Sequence, residues 1–199
     1  METQNFPGIG RKIPGLAGHS LITDTEREAV LDIIPQSSPG GHFLEIGTFA
    51  GATLAYWADR RPNVTFQSID IFESWRKHHK GPEALVAWHD NNATSGRTNR
   101  RLFVGTSEQF AAICRPEMFS IAFVDGDHSR GGCYRDLAAV IPLMLYGGTI
   151  ACHDYGSKRH PGVAEAVDQF RLEAGFHIVN RVESVVFLQR AISGHRGDS

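Results

Sequence analysis

Several short apolar runs in this chain end on side chains able to do chemistry. Phe43 to Ile46 carries Glu45 near its end. Val64 to Ile69 ends at Asp70. Phe119 to Val124 ends at Asp125, with Asp127 and His128 just beyond, and Thr149 to Cys152 runs into His153 and Asp154. Runs of this length and composition, bounded by turn residues, read as buried strands. A carboxylate at the end of a buried strand costs desolvation and adds no packing. A single one is an ordinary helix cap, but acids at the ends of four such strands are better explained by a binding site. The expected consequence is a ligand site along the rim of those strand ends, with carboxylates able to accept hydroxyl donors.

The stretch from His42 to Thr53, H-F-L-E-I-G-T-F-A-G-A-T, sets the frame for these residues. It reads as strand, glycine turn and helix start, with the helix spanning Ala52 to Arg60. Gly47 has no Cβ to keep backbone from approaching a ligand. Gly51 does the same where the helix presents its free N–H groups. Ligands of open α/β sheets bind in the crevice at the carboxyl ends of the strands. Glu45, Gly47, Thr48 and Gly51 are therefore candidate cofactor contacts, with Asp70 and Ile71 at the end of the second strand. An acid at that place can accept both hydroxyls of a ribose. Thr106 and Ser107, past a third strand at Leu102 to Val104, are placed to lie beside a base ring or to cap the helix that follows.

The intervening segments supply helices. Thr23 or Asp24 caps one running to about Ile34. Others are expected over Pro82 to Asn92, Ser107 to Ile113, Gly131 to Leu145 and Val163 to Glu173. Pro142 lies inside the segment Gly131 to Leu145, predicting a kink or an early stop, with Gly147 and Gly148 closing it. His177 to Val179 and Val185 to Leu188 read as a final antiparallel pair. Strands alternating with helices predict a doubly wound, mostly parallel sheet with helices on both faces. Residues 1–22, rich in Pro and Gly, are expected to form a flexible flap. Residues 23–190 form one domain and 191–199 a disordered tail. The basic–aromatic run from Trp75 to Lys80 reads as a solvated loop or as a grip on an anionic or sugar substrate. Tyr155 and His160 are further candidate substrate contacts.

Composition narrows the partners. The chain has 199 residues and a formal net charge of −2, which gives no electrostatic footprint for nucleic acid. Cys114, Cys133 and Cys152 are too few and too scattered for a disulfide framework or a zinc knuckle, so free thiols in a reducing compartment are expected. No apolar run approaches the roughly 20 residues of a membrane span. The N-terminus lacks the apolar stretch of a signal peptide, so a cytoplasmic location is expected.

E-I-G-T-F-A-G, then S-I-D, F-V-D-G-D-H and G-G-T-I-A-C-H-D-Y, resemble the motifs of class I S-adenosylmethionine-dependent methyltransferases. The last two resemble the small-molecule O-methyltransferase branch of macrolide-sugar and cephalosporin pathways. The resemblance spans about Thr23 to Leu188. It implies a seven-stranded, Rossmann-like sheet with its last strand antiparallel and inserted between neighbours. It also implies that Glu45 lies near the methionine end of S-adenosylmethionine and that Asp70 binds its ribose. In the related catechol and caffeoyl-CoA enzymes a divalent metal sits at the ends of strands four and five. Those ligands carry over onto Asp125, His153 and Asp154, with His153 standing where the family has Asp and Asp154 where it has Asn. The family's basic residue that deprotonates the substrate carries over onto His128.

The resulting expectation is methyl transfer to a hydroxyl of a small molecule. S-adenosylmethionine is the cofactor, Mg²⁺ or Mn²⁺ an implied aid, and Asp125 and His128 the catalytic pair. A homodimer is a reasonable assembly for so short a chain. Two other readings fit a doubly wound sheet: a nicotinamide-dependent oxidoreductase and a cofactor-binding module without catalysis. The turn G-T-F-A-G lacks the middle glycine of a G-x-G-x-x-G dinucleotide fingerprint, which weighs against the first.

Overall fold

The computed structural model describes residues 12–17, 19–36, 42–73, 81–92 and 98–190. The expected tail 191–199, the run 75–80 and residues 1–11 of the expected flap lie outside them.

Helix α1 (Asp24–Ile33) begins with a reciprocal capping box, Thr23 accepting from the Glu26 N–H while the Glu26 carboxylate takes the Thr23 N–H. Strand β1 (His42–Ile46) leads through the glycine turn into α2 (Ala52–Arg60), and β2 (Thr65–Asp70) follows. Then come α3 (Gly81–Asn92), β3 (Arg100–Val104), α4 (Ser107–Ile113), β4 (Phe119–Val124) and α5 (Arg130–Val140). After β5 (Met144–Cys152) and α6 (Pro161–Ala174), the hairpin β6 (Phe176–Val182) and β7 (Val185–Arg190) closes the sheet.

The seven strands lie in the order β3-β2-β1-β4-β5-β7-β6. β7 runs antiparallel to both β5 and β6, and the pairs linking β3 through to β5 are parallel. Side chains alternate between the faces, as the pleat demands. Leu44, Ile46, Ala122, Val124 and Ile150 pack with Phe110, Leu137 and Val167 from α4, α5 and α6. Phe43, Phe66, Ile121, Phe123 and Ala151 pack on the other face with Val30, Leu54, Trp57 and Trp88 from α1, α2 and α3.

The fifth strand corrects the sequence expectation. α5 stops at Val140, and Pro142 sits at the start of a single 3-10 turn, Ile141–Leu143. Proline has no N–H to continue the helical ladder. Met144, Leu145, Gly147 and Gly148 therefore belong to β5 instead of ending a helix. Phe119 pairs with Met144 but Ile121 with Thr149, so the extra residues bulge out of register there.

The chain before α1 is tied down where it is described. Asn91 of α3 takes the Ala17 N–H at 2.6 Å and donates to the Ala17 carbonyl at 2.8 Å. The Ser20 and Thr53 hydroxyls lie 2.9 Å apart.

Candidate functional site

The parallel neighbours β2, β1, β4 and β5 bring their carboxyl ends to one rim. Backbone bonds carry the ladder one residue past the strands: Gly47 N–H to Ile69, Asp125 N–H to Ile46, and His153 N–H to Val124. Three residues just beyond these ends hold left-handed backbone without being glycine: Phe49 (φ 49°), Phe72 (φ 47°) and Asp154 (φ 60°). For bulky residues such conformations are costly and cluster at functional sites.

At the β1–β2 end, Asp70 accepts the Phe49 N–H at 2.8 Å on one oxygen and the Phe72 N–H at 2.7 Å on the other. Burial raises its pKa, and these bonds oppose the rise. The Thr48 and Ile71 N–H groups also point at this carboxylate. Ile71 beside it is exposed. Glu45 is fully buried. Burial, aided by the charges of Asp125 and Asp70, pushes its carboxyl up to about 8, while the nearby Thr48 hydroxyl pulls it down. The Thr48 hydroxyl is near enough to the carboxyl to act on it but not aligned for a full hydrogen bond, and among the described residues Glu45 Oε2 and Thr48 Oγ1 have no other partner. Unpaired buried acceptors of this kind suit a ligand that brings a cationic or hydroxyl donor.

The glycine turn also makes close contacts within the fold. At Gly47 (φ +84°) a Cβ would fall 2.1 Å from the Asp125 carbonyl oxygen, so the close approach is to the end of β4. At Gly51 it would fall 2.3 Å from Trp88 Cδ1, against α3. Thr106 caps α4 in a second capping box with Gln109. The Ser107 hydroxyl donates to Asp136 Oδ1 at 2.6 Å. Both hydroxyls are thus engaged within the fold.

At the β4–β5 end, His153 Nδ1 lies 2.9 Å from Asp125 Oδ1 and 3.7 Å from Asp154 Oδ2. Candidate ligand atoms of these three residues all lie within 4.8 Å of one another, so the set fits a divalent cation. His128 Nε2 lies 3.0 Å from Asp154 Oδ2 and 3.5 Å from Asp125 Oδ1. His160 stacks on His128 with ring centres 4.3 Å apart, and His128, Asp154 and His160 form a second set of the same kind. The carboxylates facing His128 are Asp125 and Asp154; Asp127 instead takes the Ser129 N–H at 2.8 Å, at the start of α5. Tyr155 is drawn to α6, donating to Asp168.

Hydrogen bonds donated by His128 to Asp125 and then to Asp154 outweigh burial and raise its pKa to about 10. Burial alone would lower His153, but the charge and hydrogen bond of Asp125 raise it. Burial alone would raise Asp125, but the two imidazoles bring it down to about 2. Asp154 is likewise lowered by the same imidazoles, against burial.

Sequence reasoning missed Glu26. This buried residue of α1 accepts the Ser184 N–H and hydroxyl on Oε1, and its Oε2 lies 3.6 Å from His153 Nε2. The capping-box spacing Thr23-x-x-Glu26 was legible in the sequence, but nothing there linked it to His153.

Over residues 44–155 the sequence matches the methyltransferase domain family. The chain belongs to that family. The motif resemblance to class I S-adenosylmethionine-dependent methyltransferases is borne out, and methyl transfer displaces the oxidoreductase reading. No curated protein matches the sequence. Among solved structures, a Staphylococcus aureus protein assigned as a caffeoyl-CoA O-methyltransferase superposes with a TM-score of 0.66 at 12% identity, covering 86% of each chain. The O-methyltransferase NovP gives 0.60 at 16% identity, over 88% of this chain and 84% of its own. CalS11, a TDP-rhamnose 3′-O-methyltransferase of calicheamicin biosynthesis, gives 0.57 at 17%, over 82% and 77%. These likenesses establish the fold: a seven-stranded methyltransferase sheet. Among the described residues no helix is long and apolar enough to cross a membrane.

Proposed function

We propose that this methyltransferase moves a methyl group from S-adenosylmethionine to a hydroxyl of a small molecule, with a divalent cation, Mg²⁺ or Mn²⁺, at Asp125, His153 and Asp154. The observation that carries the proposal is the convergence of those three residues and His128 at the ends of β4 and β5, next to the unpaired acceptors of Glu45 and Thr48.

S-adenosylmethionine supplies an electrophilic methyl carbon on a sulfonium. A cation held by Asp125, His153 and Asp154 supplies positive charge that lowers the pKa of a nearby hydroxyl. The remaining work belongs to the chain. Glu45 offers a carboxylate to the cationic methionine end of the donor. Asp70, kept in place by the Phe49 and Phe72 N–H groups, offers its carboxylate to the ribose hydroxyls. Holding donor and acceptor in line makes the displacement effectively unimolecular. His128 takes the acceptor's proton at Nε2 as the O–C bond forms and the C–S bond breaks, giving a methyl ether and S-adenosylhomocysteine. The names of the structural neighbours make sugar hydroxyls and catechol-type phenols the acceptors to assay first.

The test is a thermal-shift titration followed by radiolabelled methyl transfer to those acceptors, with Mn²⁺ or with chelator. S-adenosylhomocysteine should stabilise the protein, NADH should not, and transfer should fall with chelator. Stabilisation by NADH alone would remove the donor assignment. Transfer indifferent to chelator would remove the cation from it.

A further inference from the structure

We infer that Glu26 is a positioning residue for the centre at the ends of β4 and β5: it holds the proton of His153 on Nε2 and leaves Nδ1 free to bind the cation. The inference rests on the metal-assisted reading above. It concerns α1, an element that carries none of the residues assigned there.

The two nitrogens of His153 face different carboxylates. Nδ1 is hydrogen-bonded to Asp125 Oδ1 at 2.9 Å, the contact a cation between them would replace, and lies 3.7 Å from Asp154 Oδ2. Nε2 is 3.6 Å from Glu26 Oε2, a charge contact longer than a hydrogen bond. An imidazole that binds a cation through one nitrogen must keep its proton on the other. Once a cation displaces the proton from Nδ1, the negative charge of Glu26 beside Nε2 favours the tautomer with its proton there, the arrangement of carboxylate–histidine pairs behind metal ligands.

Glu26 is itself held rigidly. Oε2 takes the Thr23 N–H at 2.9 Å. Oε1 takes the Ser184 N–H at 2.9 Å and the Ser184 hydroxyl at 2.5 Å. Its side chain is almost wholly buried. A buried carboxylate surrounded only by donors is expensive to keep for helix capping alone, since exposed capping boxes do the same work. Capping accounts for the Thr23 contact and hairpin closure for Ser184. Neither accounts for the third contact, with an imidazole in the candidate cation set.

The experiment measures cation binding, not turnover. Mn²⁺ is titrated into the full-length protein and free Mn²⁺ is followed by electron paramagnetic resonance. Glu26→Gln should weaken binding by roughly 10- to 100-fold. Thr23→Ala removes the hydroxyl that accepts the Glu26 N–H, and Ser184→Ala removes one of the two donors to Oε1, but both backbone N–H groups that hold the Glu26 carboxylate remain. These variants should lower the melting temperature and leave Mn²⁺ affinity within about twofold. Equal Mn²⁺ affinity in wild type and Glu26→Gln, at temperatures where both are folded, overturns the inference and leaves the metal-assisted reading standing. A wild type that binds no divalent ion overturns both. Should Glu26→Gln not fold, nitrogen-15 NMR of histidine-labelled wild type loaded with Zn²⁺ decides the matter. A His153 signal with metal on Nδ1 and a proton on Nε2 supports the assignment, and metal on Nε2 overturns it.

Discussion

His128 turns Nε2 toward Asp154 Oδ2, 3.0 Å away, and has Asp125 Oδ1 at 3.5 Å on the same nitrogen. This pairing fixes the pH at which His128 can act. With no cation among these carboxylates its pKa is raised to about 10, so at neutral pH the ring is charged and takes a proton only once a cation or higher pH has freed Nε2. With chelator present, kcat/KM should climb with pH, about tenfold per unit, toward that value. Mn²⁺ places positive charge among the same carboxylates and should move the climb to lower pH. His128→Ala should flatten the profile and lower kcat by roughly 100- to 10,000-fold. A wild-type rate that does not change with pH would take His128 out of proton transfer.

Glu45 supplies the second prediction, in stability. Its folded-state pKa of about 8 lies above the ordinary 4.5, chiefly through burial. The folded protein therefore holds this proton more tightly than the unfolded chain. That contribution is fully present below about pH 4.5 and is lost as pH rises to about 8. Glu45→Gln never ionises and escapes the loss. In urea unfolding of the ligand-free protein, the variant should gain on wild type between about pH 5 and pH 8.5, by an amount on the order of several kcal/mol. A difference that is the same at both pH values would mean that Glu45 is not held protonated.

The sequence made the sheet legible because its strands are short apolar runs bounded by turn residues, and β1 and β4 appear within a residue of their expected bounds. It was less informative where one residue type serves two structures. Gly147 and Gly148 are as much at home in a bulged strand as at a helix end, and it is Pro142, a few residues earlier, that ends the helix and hands them to β5. The rim acids could be found because a carboxylate after a buried run is out of place. Their partners could not. Which acid faces His128 depends on the left-handed backbone at Asp154, and the contact between Glu26 and His153 joins α1 to the end of β5 through tertiary packing alone.

Ser107 separates a structural hydroxyl from a ligand contact. Its Oγ donates to Asp136 Oδ1 at 2.6 Å, and the other Asp136 oxygen takes the Asp127 N–H at 3.3 Å. Ser107→Ala removes one of the donors of a buried carboxylate. The cost should be about 1–3 kcal/mol in denaturant unfolding. Affinity for S-adenosylhomocysteine, measured by calorimetry, should change by less than about threefold. Lost affinity at unchanged stability would place the hydroxyl on the ligand instead.

The sharpest test of the rim is Gly47. A methyl group there would meet the Asp125 carbonyl oxygen at 2.1 Å and Gly126 Cα at 2.7 Å, on backbone with φ of +84°. Backbone cannot swing aside as a side chain can, so the β1 turn and the end of β4 would have to part. Gly175, which ends α6, has a similar φ of +72°, and a methyl group added there would have nothing within 4 Å. The two glycines thus share the conformational cost of an alanine and differ in the clash. Gly175→Ala should lose about 1 kcal/mol, the conformational part. Gly47→Ala should lose roughly 1–3 kcal/mol more, from overpacking. Because the clash falls on Asp125 itself, Gly47→Ala should also weaken Mn²⁺ binding, while Gly175→Ala leaves it unchanged. Equal losses of stability in the two variants, with equal Mn²⁺ affinity, would mean that the glycine turn and the cation ligand are not in contact, and the shared rim would no longer explain the site.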